Sequence, residues 1–110
     1  MIQVLQRKDT PVVVFNGVFR LNSHVALSIQ DELLDLCKDN SVVILDLSEI
    51  KFIDSAGFGM LISVLKKAEE YKSQLVFCEI TPMLADLIDV MQLRNICNIV
   101  PTVEDALNSA

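Results

Sequence analysis

The sequence has little glycine and proline, with three of each among 110 residues. Hydrophobic residues make up 52% of the chain, which is near the top of the range for globular proteins. This composition excludes a fibrous or disordered chain and favours packed helices with strands buried on both faces. We expect one domain over residues 1–110, with a core large enough to fold without disulfides or metals.

Cysteine and histidine are too few and too scattered for metal chemistry. The three cysteines, Cys37, Cys78 and Cys97, are far apart in the sequence and have apolar neighbours. The sequence has no Cys-x-x-Cys pair and no cysteine–histidine cluster, so neither a zinc site nor a disulfide framework is supported. We therefore expect no metal and no cofactor, cysteines that pack as small apolar side chains, and a reducing compartment.

Long apolar runs and clusters of positive charge are also missing. The first nine residues have no apolar core of the signal-peptide type, and no run approaches the roughly 20 residues that span a bilayer. The net charge of −6 opposes binding to phosphate backbones or anionic membranes, which attract clustered lysine and arginine. These absences predict a cytoplasmic protein with no membrane insertion and no direct nucleic-acid binding.

Strand-like and helix-like segments alternate along the chain. Apolar and β-branched runs predict strands at 12–15, 42–47 and 75–80, and a last short strand at 96–100. Apolar residues at helical spacing follow, in stripes that begin near residues 25, 58 and 84, and a last helix is expected after residue 102, up to Leu107. We predict an α/β fold with a small mixed, largely parallel sheet of four to five strands and about four helices. The first strands can pair antiparallel.

Polar residues are placed to cap several of these helices. Asn22 or Ser23 precedes the first apolar stripe, and Thr81 precedes a proline at the start of the third helix. Thr102 and Asp105 have the spacing of a capping box before the last helix. Some apolar residues fall off the main stripes, which indicates either helices buried on more than one side or an exposed docking patch; these are Leu27, Leu34, Met60 and Val64.

The segment 45–59, LDLSEIKFIDSAGFG, runs from a predicted strand through a short loop into a predicted helix. In an open α/β sheet, binding groups gather beyond the carboxyl ends of the strands. A helix amino terminus at that edge presents unpaired N–H groups and a partial positive charge. Gly57 and Gly59 have no side chain, so we expect a partner or a phosphate to approach the backbone closely there.

Ser55 alone has a simpler interpretation as a helix cap, and Asp54 as a capping or solvated carboxylate. A hydrolase is not supported, because a nucleophile elbow needs glycine where the chain has Ile53. His24, the single histidine, precedes the serine and is expected at a helix cap or on the surface. Gly57 and its neighbours also lack the spacing of a phosphate-binding loop. The sequence therefore predicts no catalytic residues and no enzyme.

The tetrapeptide Asp54-Ser55-Ala56-Gly57, placed between a Leu-Asp-Leu-Ser strand end and an apolar helix, resembles the motif of the STAS domain family. This family comprises the sulphate transporter and anti-sigma factor antagonist domains. The likeness continues through the segments 74–77, 84–93 and 99–107, so it covers nearly the whole chain from residue 12. The resemblance implies a STAS-type fold.

The single-domain soluble members of that family are mostly anti-sigma factor antagonists. The resemblance implies that the unphosphorylated chain binds an anti-sigma factor that is also a serine kinase, and that phosphorylation of Ser55 releases it. A PP2C-type phosphatase would then reset the switch. The residues that the resemblance places at the partner-binding surface are Asp54, Ala56, Gly57, Asn22 and Ser23. Asn22 departs from the family, which often has an acidic residue near that position.

Two other functions fit the same resemblance. One is a constitutive STAS subunit of a lipid-transport ABC assembly, in which Ser55 is structural. The other is a stressosome-type signalling component, although such proteins usually carry or assemble with further domains. A phosphorylatable serine in the motif favours the partner-switching function over both.

Overall fold

Residues 2–18, 20–96 and 98–109 are described by a computed structural model. The strands in chain order are β1 (Ile2–Arg7), β2 (Thr10–Phe15), β3 (Arg20–Leu21), β4 (Val42–Asp46), β5 (Phe52–Ile53), β6 (Gln74–Cys78) and β7 (Asn98–Ile99). The helices are α1 (Ser23–Asp39), α2 (Ser55–Glu70), α3 (Pro82–Val90) and α4 (Val103–Ser109). Helices thus follow strands through most of the chain, as the alternation predicts.

The main sheet has five strands in the order β1-β2-β4-β6-β7. β1 pairs antiparallel with β2, and the other neighbours are parallel. β3 and β5 form a separate parallel pair. These elements confirm the predicted mixed, largely parallel sheet with four helices. The first two predicted strands correspond to β2 and β4, which are parallel, so the expected antiparallel pairing is wrong for them; the antiparallel partner of β2 is β1.

The central strands are buried on both faces, because their side chains alternate between two apolar clusters. On one face, side chains such as Val43, Leu45 and Phe77 pack with α1, α2 and α3. On the other face, Ile44 and Val76 pack in a smaller cluster with α4. This two-sided burial explains why the central strands are continuous apolar runs in the sequence.

The four apolar residues that fall off the main helical stripes were expected either to be buried on a second side of their helix or to be exposed, and both outcomes occur. Met60 and Val64 are buried, so α2 packs on more than one side. Leu34 is half-buried, whereas Leu27 is 79% exposed on α1. The prediction that off-stripe residues are buried on a second side of the helix is therefore confirmed for α2. Leu27 instead matches the alternative prediction of an exposed residue.

β1, β3 and β5 were not predicted. β1 lies at the edge of the sheet with five of its six residues exposed, so its sequence shows no buried face. β3 and β5 have two residues each, too few to display a period of two. These elements follow from tertiary pairing and not from a local apolar signal.

Three predicted strands extend beyond the observed ends, and the smallest difference is in β4, which ends at Asp46 instead of residue 47. β6 ends at Cys78 instead of residue 80, because Glu79 has a φ of +56° and its carboxylate accepts a hydrogen bond from the Val103 N–H at 2.9 Å. β7 is confined to two residues, and 94–96 form turns. The boundaries are set by the connection to α4 and by turns, which the apolar runs do not reveal.

The predicted packing of the cysteines is confirmed for two of them. Cys37 and Cys78 are free and buried, whereas Cys97 lies outside the described residues. Burial, with smaller contributions from the nearby carboxylates of Asp46 and Glu79, raises the pKa of Cys78 to about 12. Cys78 is therefore a neutral thiol at physiological pH, unsuited to nucleophilic chemistry.

Candidate functional site

The short β3–β5 pair aligns the amino termini of α1 and α2. In its register Leu21 lies opposite Ile53, and both side chains are buried. Each strand passes through one residue, Asn22 or Asp54, into its helix. The Asp54 N–H donates a hydrogen bond across the pair to the Leu21 carbonyl at 3.3 Å. The two predicted loops thus come together in one surface, here named the twin-loop surface, formed by Asn22, Ser23, Asp54, Ser55 and Ala56.

Both helices of the twin-loop surface are capped in the same way. The Asn22 side chain accepts a hydrogen bond from the Val25 N–H at 3.1 Å, and the Asp54 side chain accepts one from the Gly57 N–H at 2.9 Å. The caps have extended backbone, with ψ of −178° at each, and a side-chain oxygen at such a position satisfies an N–H group of the first turn. Of the two candidate caps for α1, Asn22 is therefore the correct one.

Ser55 is the first residue of α2 and its side chain is exposed. Its interpretation as the helix cap is wrong, because the carboxylate of Asp54 has that role. Ala56 and Ser23 are also exposed, and Asp54 and Asn22 are half-buried. Ser55 is consequently accessible from solvent, and the start of α2 beside it is held by the Asp54 cap.

Gly57 has a different role from the predicted one. It is buried, and a Cβ added there would lie 2.1 Å from the Leu21 carbonyl oxygen and 2.8 Å from Cγ2 of Ile53. The close approach is therefore to the chain's own β3 and not to a partner or a phosphate. Gly59 is exposed, and beyond its chain neighbours and the backbone of its own helix no atom lies within 4 Å of an added Cβ, so a side chain would have room there.

Two exposed residues next to the twin-loop surface were missed in the sequence. The Arg20 guanidinium lies over the Phe52 ring, 5.7 Å from its centroid, and Phe52 is 42% exposed. Because side chains alternate along a strand, Arg20 and Phe52 point away from the core that buries Leu21 and Ile53. The sequence indicates them only through an aromatic residue, Phe52, just before the motif. That Phe52 is exposed and lies beside Arg20 follows from the pairing of β3 with β5.

The cavity beside α2 lies away from the twin-loop surface. It has a volume of about 510 Å³ and lies between the carboxyl-terminal half of α2 and the segment before β7, and no residue of the twin-loop surface lines it.

His24 is exposed in the first turn of α1. Within the described ranges, no group of three or more His, Cys, Asp and Glu residues is arranged to hold a metal ion. None of the helices described is long and apolar enough to cross a membrane.

Solved structures resemble this chain along nearly its full length. An anti-sigma-factor antagonist domain protein from Planctomyces limnophilus superposes with a TM-score of 0.85 at 21% identity, covering 98% of this chain and 95% of that one. RsbS of Moorella thermoacetica, solved with a serine-to-glutamate substitution, gives a TM-score of 0.80 at 19% identity, with coverage of 98% and 92%. Phosphorylated SpoIIAA from Bacillus gives 0.71 at 17% identity, with coverage of 99% and 98%. At these identities the superpositions establish a shared fold.

Sequence comparison with protein families extends this result. The model of the STAS domain matches residues 1–106, which include both loops of the twin-loop surface. The match covers β1 and the β3–β5 pair as well as the motif around Ser55. The chain therefore belongs to the STAS domain family.

Proposed function

We propose that this protein is an anti-sigma factor antagonist, a cytoplasmic partner-switching protein with no catalytic activity of its own. Its unphosphorylated form binds an anti-sigma factor that is also a serine kinase. Phosphorylation of Ser55 releases that partner, and a PP2C-type phosphatase restores binding. The observation that carries the proposal is the exposed hydroxyl of Ser55 at the first residue of α2, within a surface made of two capped helix starts.

Electrostatics gives a mechanism for release. A phosphate on Ser55 adds a charge of about −1.5 to −2 at neutral pH, directly after the carboxylate of Asp54. The amino terminus of α2 offsets only about 0.3–1 kcal/mol of this at an exposed position. Burying the phosphate in a closed interface costs more than that, because a charge without a matching partner loses its hydration. The phosphorylated form should consequently dissociate.

Release does not require a change of fold. Ser55 is exposed, so a phosphate there displaces no core side chain. SpoIIAA, an anti-sigma factor antagonist, has been solved unphosphorylated and phosphorylated, and both forms superpose on this chain with a TM-score of 0.71. Both forms thus share the fold of this chain, which supports a switch that changes the charge of the surface and keeps the fold.

The experiment compares Ser55→Ala and Ser55→Asp in binding to the kinase partner, identified by pull-down from native cell extract with mass spectrometry. Alanine adds no charge, so binding should persist. Aspartate adds one negative charge beside Asp54, and we expect binding at least about tenfold weaker, mainly through faster dissociation. Surface-immobilised partner titrated with each variant measures both rates.

Ser63→Asp is the matched control, because Ser63 is exposed on the same helix two turns away. It adds the same charge outside the twin-loop surface and should bind like the wild type. Incubation with the partner and ATP, followed by mass spectrometry, should locate the phosphate on Ser55. Phosphate found only at other residues, or equal affinities for all variants, would contradict the switch and favour a constitutively bound STAS subunit of a transport assembly.

A further inference from the structure

β1 is an unprotected edge of the main sheet. It forms the end of the strand order, and its six residues pair with β2 in an uninterrupted register from Ile2 opposite Phe15 to Arg7 opposite Thr10. In an antiparallel pair, alternate backbone groups of the outer strand point away from the partner strand. The outer side of β1 therefore carries a row of N–H and C=O groups available to another strand.

The usual devices that block such an edge are missing from β1. Its sequence has no proline, its register has no bulge, and its single charged residue, Arg7, stands at its end. Val4 and Leu5 are 38% and 41% exposed on opposite faces of the strand. At the other end of the sheet, β7 has only two residues. The contrast identifies β1 as the edge suited to strand addition.

The face of this edge that lies under α1 is acidic. Val4 lines a depression of about 220 Å³ together with residues of one flank of α1, namely Glu32, Asp35, Leu36 and Asp39. The three carboxylates have the spacing that places them on one side of a helix. Among the described residues none of the three belongs to an ion pair.

The nearby cations have other partners: Lys38 of α1 has its Nζ 5.6 Å from the centroid of the Tyr71 ring, and the two cations at the end of β1 are engaged on the opposite face of the sheet. Arg7 forms an ion pair with Glu104 of α4, and Lys8 Nζ donates to Oδ1 of Asn108 at 3.4 Å. The α1 side of the edge is thus left with negative charge. A strand placed beside β1 would direct every second side chain toward these carboxylates.

We propose that β1 binds an extended, basic segment of a partner protein as an added strand. Backbone hydrogen bonds to β1 would supply affinity, and lysine or arginine at alternate positions would pair with Glu32, Asp35 and Asp39. A second copy of this chain fits poorly, because antiparallel pairing of two β1 strands would bring two acidic α1 flanks together. This interaction does not involve Ser55 and is independent of the switch.

The test uses a terminally blocked nine-residue peptide that alternates lysine with threonine, and a matched peptide with glutamate in place of lysine. NMR titration should show saturable shifts in β1 and in the flank of α1 with the lysine peptide only. Hydrogen exchange should slow at alternate amides of Ile2–Arg7, because an added strand gives partners to the outward N–H groups.

Variants of α1 separate specific pairing from general charge attraction. Asp35→Asn should weaken the lysine peptide by up to about fivefold, and the triple variant Glu32→Gln, Asp35→Asn, Asp39→Asn by at least about tenfold. Asp86→Asn removes one exposed charge from α3, which does not line the depression beside Val4, and should change affinity by less than about twofold.

Three outcomes would overturn the proposal. Shifts in α1 with unchanged exchange in β1 would indicate nonspecific charge attraction without strand addition. Equal binding of the glutamate peptide would exclude a basic occupant. Concentration-dependent dimerisation of the chain alone, with protection of β1 amides, would identify a second copy as the occupant.

Discussion

The amino termini of α1 and α2 are built alike, but their caps and their third helical residues differ in ways that matter for the site. Each helix follows a two-residue strand, begins after a polar cap and has an exposed serine as its first residue. The cap is the neutral Asn22 in α1 and the carboxylate of Asp54 in α2. The third residue of the helix is Val25 in α1 and Gly57 in α2. Capping geometry is thus common to both loops, and charge and close packing distinguish the loop of Ser55.

Gly57 allows the loop before α2 to pack directly against the strand that leads into α1. Val25 is half-buried and has room for a branched side chain, whereas the Cα of Gly57 lies against the backbone of β3. Together with the hydrogen bond from the Asp54 N–H to the Leu21 carbonyl, this contact fixes where α2 begins relative to α1. A partner that contacts both loops would meet a preset spacing, and such preorganisation lowers the entropic cost of binding.

The largest effect is expected from Gly57→Ala. The added Cβ would meet a backbone carbonyl that cannot move away as a side chain can, so we expect a loss of about 1–3 kcal/mol in the free energy of unfolding. Gly59→Ala, on the same helix with open space around it, should be neutral or stabilise by up to about 1 kcal/mol. Denaturant titration measures both. Equal stabilities of the two variants would show that the close contact with β3 does not constrain the fold.

A smaller effect is expected from removing the caps. Asp54→Ala and Asn22→Ala should each cost about 0.5–2 kcal/mol, because each leaves an N–H group of the first turn without its side-chain acceptor. Asp54→Asn keeps an acceptor and should retain most of the stability, which separates the cap from the charge. Thermal or chemical unfolding checks the series; if Asn and Ala at position 54 were equally destabilising, charge and not capping would hold the start of α2.

The smallest effect is expected from the two serines. Ser55→Ala and Ser23→Ala remove exposed hydroxyls that do not cap, so each should change the free energy of unfolding by less than about 0.5 kcal/mol. Calorimetry of the two variants beside wild type gives the comparison. A loss above 1 kcal/mol for Ser55→Ala would mean that this hydroxyl has a structural role and would weaken the proposed switch.

The long elements were predictable because they bury large apolar faces. The stripe of α2 and the runs of β4 and β6 carry their periodicity in the sequence itself. β3 and β5 were not predictable, since two residues have no period, and the adjacency of Asn22 and Asp54 came only from the family resemblance. Gly57 illustrates the limit: a glycine permits close approach, but only the tertiary packing tells whether the approaching group is a partner or Leu21.

The unequal division of the core has a consequence for partial unfolding. Helix α4 covers most of the smaller apolar cluster, contributing Val103, Ala106 and Leu107 over Ile44 and Val76. Regions with few buried apolar contacts open at lower free energy than the whole domain. Detachment of this seven-residue helix would uncover one face of the central strands while the β3–β5 pair remained folded. We therefore expect local unfolding of α4 to leave the twin-loop surface intact. The same opening would expose apolar side chains of the sheet and so favour transient aggregation.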